Sequence, residues 1–235
     1  MNILKAAIHR AGQAYIRKIC DSDFRHQDYV VHNERPIEYG FALRALSENQ
    51  PRNVLDVGTG TTAWPHLMRN CGYVVTAIDN VHDYWPERMT NRHWTVLDVD
   101  ILNLNGNLAH NFFEAITCIS VLEHIEDHRK AVQNMVRLLS PGGILILTTP
   151  YSHYHPYPNV YKHPNALYGQ GEPYICRSSS KEELNQWLFN GLLLEKRELW
   201  KLFTGDIWAT GQRCTWQIAT EDEPHQLGCF VFRKA

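Results

Sequence analysis

Val54-Leu55-Asp56-Val57-Gly58-Thr59-Gly60-Thr61-Thr62-Ala63 decides the reading of this chain. A short apolar run ends in two glycines one residue apart, and helix-compatible residues follow. A strand over 53–57 that turns at glycine into a helix over 62–70 is the opening unit of an open α/β sheet. Its glycines let the backbone turn sharply and approach a ligand closely. As a bare pattern, G-x-G-x-x-A also fits a dinucleotide-binding turn. Asp56 weighs against that ligand: a pyrophosphate sits on such a turn and helix N-terminus, and a carboxylate on the strand repels it.

Outward from this unit the rhythm of strands and helices persists. Apolar runs predict further strands over 73–78, 94–99, 115–120, 144–148, 192–199 and 228–233, seven in all with the first. Helical patterns fall at 3–19, 36–47, 62–70, 128–139 and 180–189, with Pro36 suited to a first helical turn and Asp127 to an N-cap. Such alternation predicts an α/β fold: a Rossmann-like, doubly wound, mostly parallel seven-stranded sheet with helices on both faces. The expected organisation is N-terminal helices over 1–50 acting as a cap, a ligand-binding core over 51–150, and a substrate loop with the sheet's completion over 151–235. Residues 214–218 fit no element securely.

Composition narrows the function. The 235 residues carry a net charge of -2 with 20% charged and 44% hydrophobic side chains, an ordinary globular balance without the basic excess of a nucleic-acid binder. Six cysteines are scattered with no C-x-x-C pair, and Cys118 and Cys229 lie in apolar runs, so they read as core residues of a protein from a reducing compartment. Lys5, His9, Arg10, Arg17 and Lys18 interrupt the first twenty residues, and no run reaches the ~20 apolar residues of a membrane helix. A cytoplasmic protein without a membrane span is expected. Residues 151–174 hold six tyrosines, three histidines and four prolines. A connection this long and this aromatic is expected to be functional.

Asp79 closes the second strand about twenty residues after the turn, where a carboxylate can accept hydrogen bonds from ribose hydroxyls. Asp100 ends the third predicted strand, with Asp98 as its rival on the same strand face. With Leu55–Gly60 (Leu-Asp-Val-Gly-Thr-Gly), Asp79, Asp100-Ile101, Ser120-Val121-Leu122-Glu123-His124-Ile125 and Leu138-Leu139-Ser140-Pro141-Gly142-Gly143, the chain resembles the class I S-adenosylmethionine-dependent methyltransferases. The resemblance runs from about Arg35 to Pro150, and Arg35-Pro36-Ile37-Glu38-Tyr39 is similar to a helix preceding the first motif in members that modify glycans. It implies S-adenosylmethionine as donor and S-adenosylhomocysteine as product. Asp56, Gly58, Thr59 and Gly60 would sit at the methionine part, Asp79 and Asn80 at the ribose, Asp100 and Ile101 at the adenine, and Ser120 and Val121 near the methyl-bearing end. Some quinone O-methyltransferases of the family hold a metal with Glu-x-x-Glu-His at the fourth strand. Here Ser120 replaces the first Glu, leaving Glu123 and His124, and no metal is expected.

The donor's ammonium and sulfonium suit an acidic strand end. Methyl transfer to an oxygen or nitrogen acceptor is expected; an alcohol acceptor also needs a base, and a histidine suits neutral pH, with His153, His155 and His124 as candidates, in that order. Tyrosine-rich walls suit a small molecule with flat faces and hydroxyls, such as a sugar or a phenol, with a glycan or sugar-bearing metabolite favoured. Two other readings compete. An NAD(P)-dependent oxidoreductase of this length would need Tyr-x-x-x-Lys, which is absent. A non-catalytic binding protein on the same fold has no need of the intact glycine turn.

Overall fold

The computed structural model describes residues 3–27, 32–85, 89–104, 106, 108–188 and 191–235. It separates into two compact units, 1–34 and 35–235. The first holds α1 (Ile3–Arg25), longer than the predicted 3–19 and with no buried residue. Among the described residues no helix is long and apolar enough to cross a membrane.

The second unit runs α2 (Arg35–Asn49), β1 (Asn53–Val57), α3 (Trp64–Asn70), β2 (Val74–Asp79), α4 (Val81–Tyr84), β3 (Leu97–Asp98), β4 (Phe113–Ile119), α5 (His128–Leu138), β5 (Leu139–Pro150), α6 (Lys181–Leu188), β6 (Leu192–Phe203), β7 (Arg213–Ala219) and β8 (Leu227–Lys234). The strands form one sheet in the order β3-β2-β1-β4-β5-β8-β6-β7. The first five are mutually parallel, and β8 returns antiparallel between β5 and β6. The predicted count of seven is corrected to eight: the unassigned stretch 214–218 is β7, an antiparallel edge strand on β6. Its alternation was obscured because an edge strand buries little on either side.

Side-chain alternation sends Leu55, Val57, Ile116, Cys118, Leu145 and Leu147 to one face, packed with α5 and α6 residues such as Met135 and Trp187. Val54, Ala115, Ile119, Ile144 and Ile146 point to the other, packed with Phe41 and Leu46 of α2 and Met68 of α3. The boundary expected at residue 50 therefore moves to 34/35, because α2 buries Phe41, Ala42, Ala45 and Leu46 in this core. Cys118 and Cys229 are fully buried, as core residues should be.

Predicted bounds shift where local hydrogen bonds compete. The third strand, expected over 94–99, shrinks to Leu97–Asp98 because Asn91 Oδ1 accepts the His93 and Trp94 N–H groups and curls the chain ahead of it. The fifth, expected over 144–148, extends to Leu139–Pro150, since a bulge opposite Phe113–Ala115 absorbs Pro141-Gly142-Gly143. The predicted helix over 180–189 is α6; its end at Phe189 lies outside the described residues.

The chain moves outward from β1 through β2 to β3, then crosses back to β4 on the other side of β1. This reversal opens a crevice at the carboxyl ends of β1 and β4. Asp127 caps α5 by accepting the Lys130 N–H at 3.1 Å. Asp127→Ala should cost about 1 kcal/mol, lowering Tm by roughly 2–4 °C in a chain of this size, as calorimetric melting would measure.

Candidate functional site

At the crevice lies a cleft of about 800 Å³, lined by the ends of β1, β2 and β4 and by the loop after β5. Its floor is the glycine turn. Gly58 (φ +74°) and Gly60 (φ +57°) both take left-handed backbone, which L side chains resist. At Gly58 a Cβ would also lie 2.4 Å from both Val121 Cγ atoms, so the absent side chain is what lets the β4 exit close over the turn. At Gly60 an added Cβ meets nothing within 4 Å, leaving open space above the turn.

Eight of the ten residues expected to hold the donor line this cleft: Gly58, Gly60, Asp79, Asn80, Asp100, Ile101, Ser120 and Val121. Asp56 and Thr59 lie beneath it. Asp56 is 3% exposed; it accepts hydrogen bonds from Thr59 Oγ1 and, across the sheet, Thr117 Oγ1, both at 2.7 Å. Burial pushes its pKa up to about 7 against those two bonds. Asp79 stands at the cleft wall, its carboxylate accepting Gly60 N–H at 2.6 Å and Asn80 N–H at 2.8 Å. Burial raises its pKa as well. Asp98 and Asp100 stand in different surroundings. Asp98 accepts the Val81 and His82 N–H groups at the start of α4, whereas Asp100, in the turn after β3, faces the cleft beside Ile101.

The three histidines separate. His124 lines the cleft with Ile125, Glu126, Pro173 and Tyr174. Its Nδ1 lies 2.6 Å from the Ile175 carbonyl oxygen. A carbonyl only accepts, so Nδ1 carries the proton and Nε2 keeps a lone pair. Burial lowers the imidazole's pKa, with Arg35 adding to the effect. The Tyr174 ring meets it edge-on with centroids 4.7 Å apart. His153 and His155, placed ahead of it on sequence grounds, are not among the cleft-lining residues. His153 is buried beside Tyr151 and His225, with Nε2 3.6 Å from Glu221, while His155 is exposed. Both precede Tyr157, which pairs with Ser178; the stretch that returns to the cleft is Pro173-Tyr174.

Sequence reasoning missed two braces. Asn91 Nδ2 donates to the Gly60 and Thr62 carbonyls at 2.8 and 3.0 Å, steadying the turn from outside. Glu38, fully buried, accepts hydrogen bonds from Ser120 Oγ and Thr148 Oγ1 and an ion pair from Arg35. An acid in a first helical turn ordinarily complements the helix dipole at the surface, so nothing in its position announced burial.

Against known proteins, a family model described as "Methyltransferase domain" matches residues 31–206. The ubiquinone biosynthesis O-methyltransferase of Haemophilus ducreyi is 28% identical over 127 residues, covering 51% of this chain and 54% of that protein. Its Coxiella burnetii counterpart is 26% identical over 152 residues, covering 60% and 62%. The chain thus spans between half and two thirds of the length of these curated relatives. Among solved structures, the N-methyltransferase NodS of Bradyrhizobium japonicum, in complex with S-adenosyl-L-homocysteine, aligns at TM-score 0.53 and 21% identity over 86% of this chain and 87% of that one. The Burkholderia thailandensis 1,6-didemethyltoxoflavin-N1-methyltransferase aligns at TM-score 0.58 and 16% identity over 96% and 90%.

The buried histidines carry a pH signature. Burial holds His153 and His225 below the ordinary histidine value, so in the window just under ~6.5 the unfolded chain binds protons that the folded one refuses. Their stabilisation is present above that window and lost as pH falls through it. Asp56 and Asp79, with raised values, act in the opposite sense, so the histidine contribution is read as a difference. Between pH 7 and pH 5 the wild type should lose more Tm than His153→Gln does; equal slopes would refute the assignment.

Proposed function

The chain belongs to the methyltransferase domain family, and from that premise we propose that it transfers a methyl group from S-adenosylmethionine to a hydroxyl oxygen on a small ring-bearing acceptor. The observation that carries this reading is one cleft holding the glycine turn and Asp79 on one side and a neutral His124 on the other. The cleft residues fit the donor. Asp79 can accept from ribose hydroxyls, and Asp100, whose Oδ1 already accepts the Leu102 N–H at 2.8 Å, can with the Ile101 backbone meet an adenine edge, with Trp85 as a wall. Gly60 leaves room for close approach, and Asp56 sets the turn's shape from below. When bound, S-adenosylmethionine supplies a methyl group already activated on a sulfonium, so the protein's task is alignment and proton removal.

His124 takes the proton. Its Nδ1–H is committed to Ile175, which leaves Nε2 as acceptor, and burial keeps the ring neutral at physiological pH. Tyr174 and Pro173 offer flat contact to an acceptor ring. Acidic Asp79, Asp100 and Glu126 along the walls disfavour a phosphate-rich acceptor such as nucleic acid. Between the two ring classes, the relatives' names place their O-methylation in the biosynthesis of a quinone, a ring reached from a phenol, and this favours a phenolic over a sugar hydroxyl here.

Calorimetric titration should show micromolar binding of S-adenosylmethionine and S-adenosylhomocysteine, none of NADH, and at least tenfold weaker binding by Asp79→Ala; a folded wild type that binds neither sulfur ligand would sink the reading. With a phenolic acceptor found by screening, His124→Ala should lower kcat by ~10²–10⁴ while the S-adenosylhomocysteine Kd moves less than twofold. His153→Ala should keep most of its turnover. With S-adenosylmethionine saturating, so that the donor-side acids titrate in the bound state, the acid limb of kcat should fall below the ordinary histidine value of ~6.5, activity being lost as the depressed imidazole gains its proton.

A further inference from the structure

The buried Glu38 does more than its place in α2 requires. A carboxylate removed from water is costly unless fully bonded, and an apolar residue would fill the same space without that cost. Its bonds converge on one point. Oε1 accepts from Ser120 Oγ and, at 2.7 Å, from Thr148 Oγ1; Oε2 accepts from Arg35 Nη1 at 3.0 Å, and that same nitrogen donates to the Ile119 carbonyl at 3.2 Å. Thr148 relays the hold, since its carbonyl and its Oγ1 accept Ser120 N–H at 3.0 and 3.1 Å.

Ser120 is where the chain leaves β4 and enters the cleft. It takes φ +50°, left-handed backbone in a residue with a Cβ. After it Val121 packs over Gly58, its Cγ atoms 2.4 Å from where a Cβ would stand. Glu38 itself is not among the cleft-lining residues; it holds the corner whose two residues, Ser120 and Val121, are.

We propose that Glu38, paired with Arg35 and relayed by Thr148, is a positioning residue that holds the Ser120–Val121 corner in its left-handed conformation against the glycine turn, so that donor affinity and turnover depend on it. The proposal rests on the donor reading given above.

The test is calorimetry with S-adenosylhomocysteine, which yields the binding-competent fraction and Kd separately, combined with kcat and KM for S-adenosylmethionine well below each variant's Tm. Glu38→Gln, close in volume, should raise Kd at least tenfold and lower kcat by a similar factor at a stoichiometry near one. Thr148→Val, which deletes only the relay hydroxyl, should move both in the same direction, and Thr148→Ser, which restores it, should recover them. If Glu38→Gln does not fold, Thr148→Val with its recovery in Thr148→Ser carries the test. Kd and kcat within twofold of wild type in folded variants, with only Tm lowered, would overturn the positioning role and leave the donor reading standing. Failure of the wild type itself to bind would bring down both.

Discussion

Asp56 is the constraint on which the binding end of the molecule depends. Its carboxylate lies between β1 and β4 and accepts one hydroxyl from the turn, Thr59, and one from the neighbouring strand, Thr117. Thr117 also receives the Trp64 indole N–H at 3.3 Å, so α3 is tied to the same point. One buried group thereby fixes the register of two parallel strands, the curvature of the glycine turn and the seat of the helix that follows. Burial raises its pKa to about 7, which places its ionisation within reach of whatever charge enters the cleft above.

The cleft is built by layers of such contacts rather than by the residues that line it. Gly60 is held from one side by Asp79 and from the other by Asn91. Ser120 is held by Thr148 and Glu38. Gly60, through Asn91, and Ser120, through Thr148 and Glu38, are thus pinned by partners that do not line the cleft, the arrangement that pre-organised sites need so that ordering costs little on binding. The acids at the walls and Arg35 at their rear also set a field. Asp79 and Asp100 stand on one wall of the cleft, while Arg35 helps burial lower the pKa of His124 on another.

The glycine-turn side of the cleft was legible in advance because its pattern is local. Leu55–Gly60 is a strand, a turn and two left-handed positions within a few residues, and Asp79, Asp100 and Ser120 each close or closely follow a strand, where parallel topology must bring them to one edge. The side lined by His124 and Tyr174 was not. His153 and His155 follow β5 directly and, on topology alone, should leave the sheet at the cleft. Instead, the chain first pairs Tyr151 with Ser179 and Tyr157 with Ser178 and packs His153 against Tyr151 and His225. It returns to the cleft only at Pro173 and Tyr174. The prolines and tyrosines of that loop carry no period from which such a path could be read.

What the sequence by itself determined is the α/β class, the mostly parallel sheet and the glycine turn, since strand and helix periods, the paired glycines and the acids near strand ends are properties of near neighbours along the chain. What only the tertiary structure decided is which distant groups meet. Glu38 reaches Ser120 across 82 positions, His124 reaches Ile175 across 51, and β7 finds its place only as an edge of β6. Those meetings depend on how whole elements pack, and burial, which assigns a carboxylate or an imidazole its task, arises only when they do.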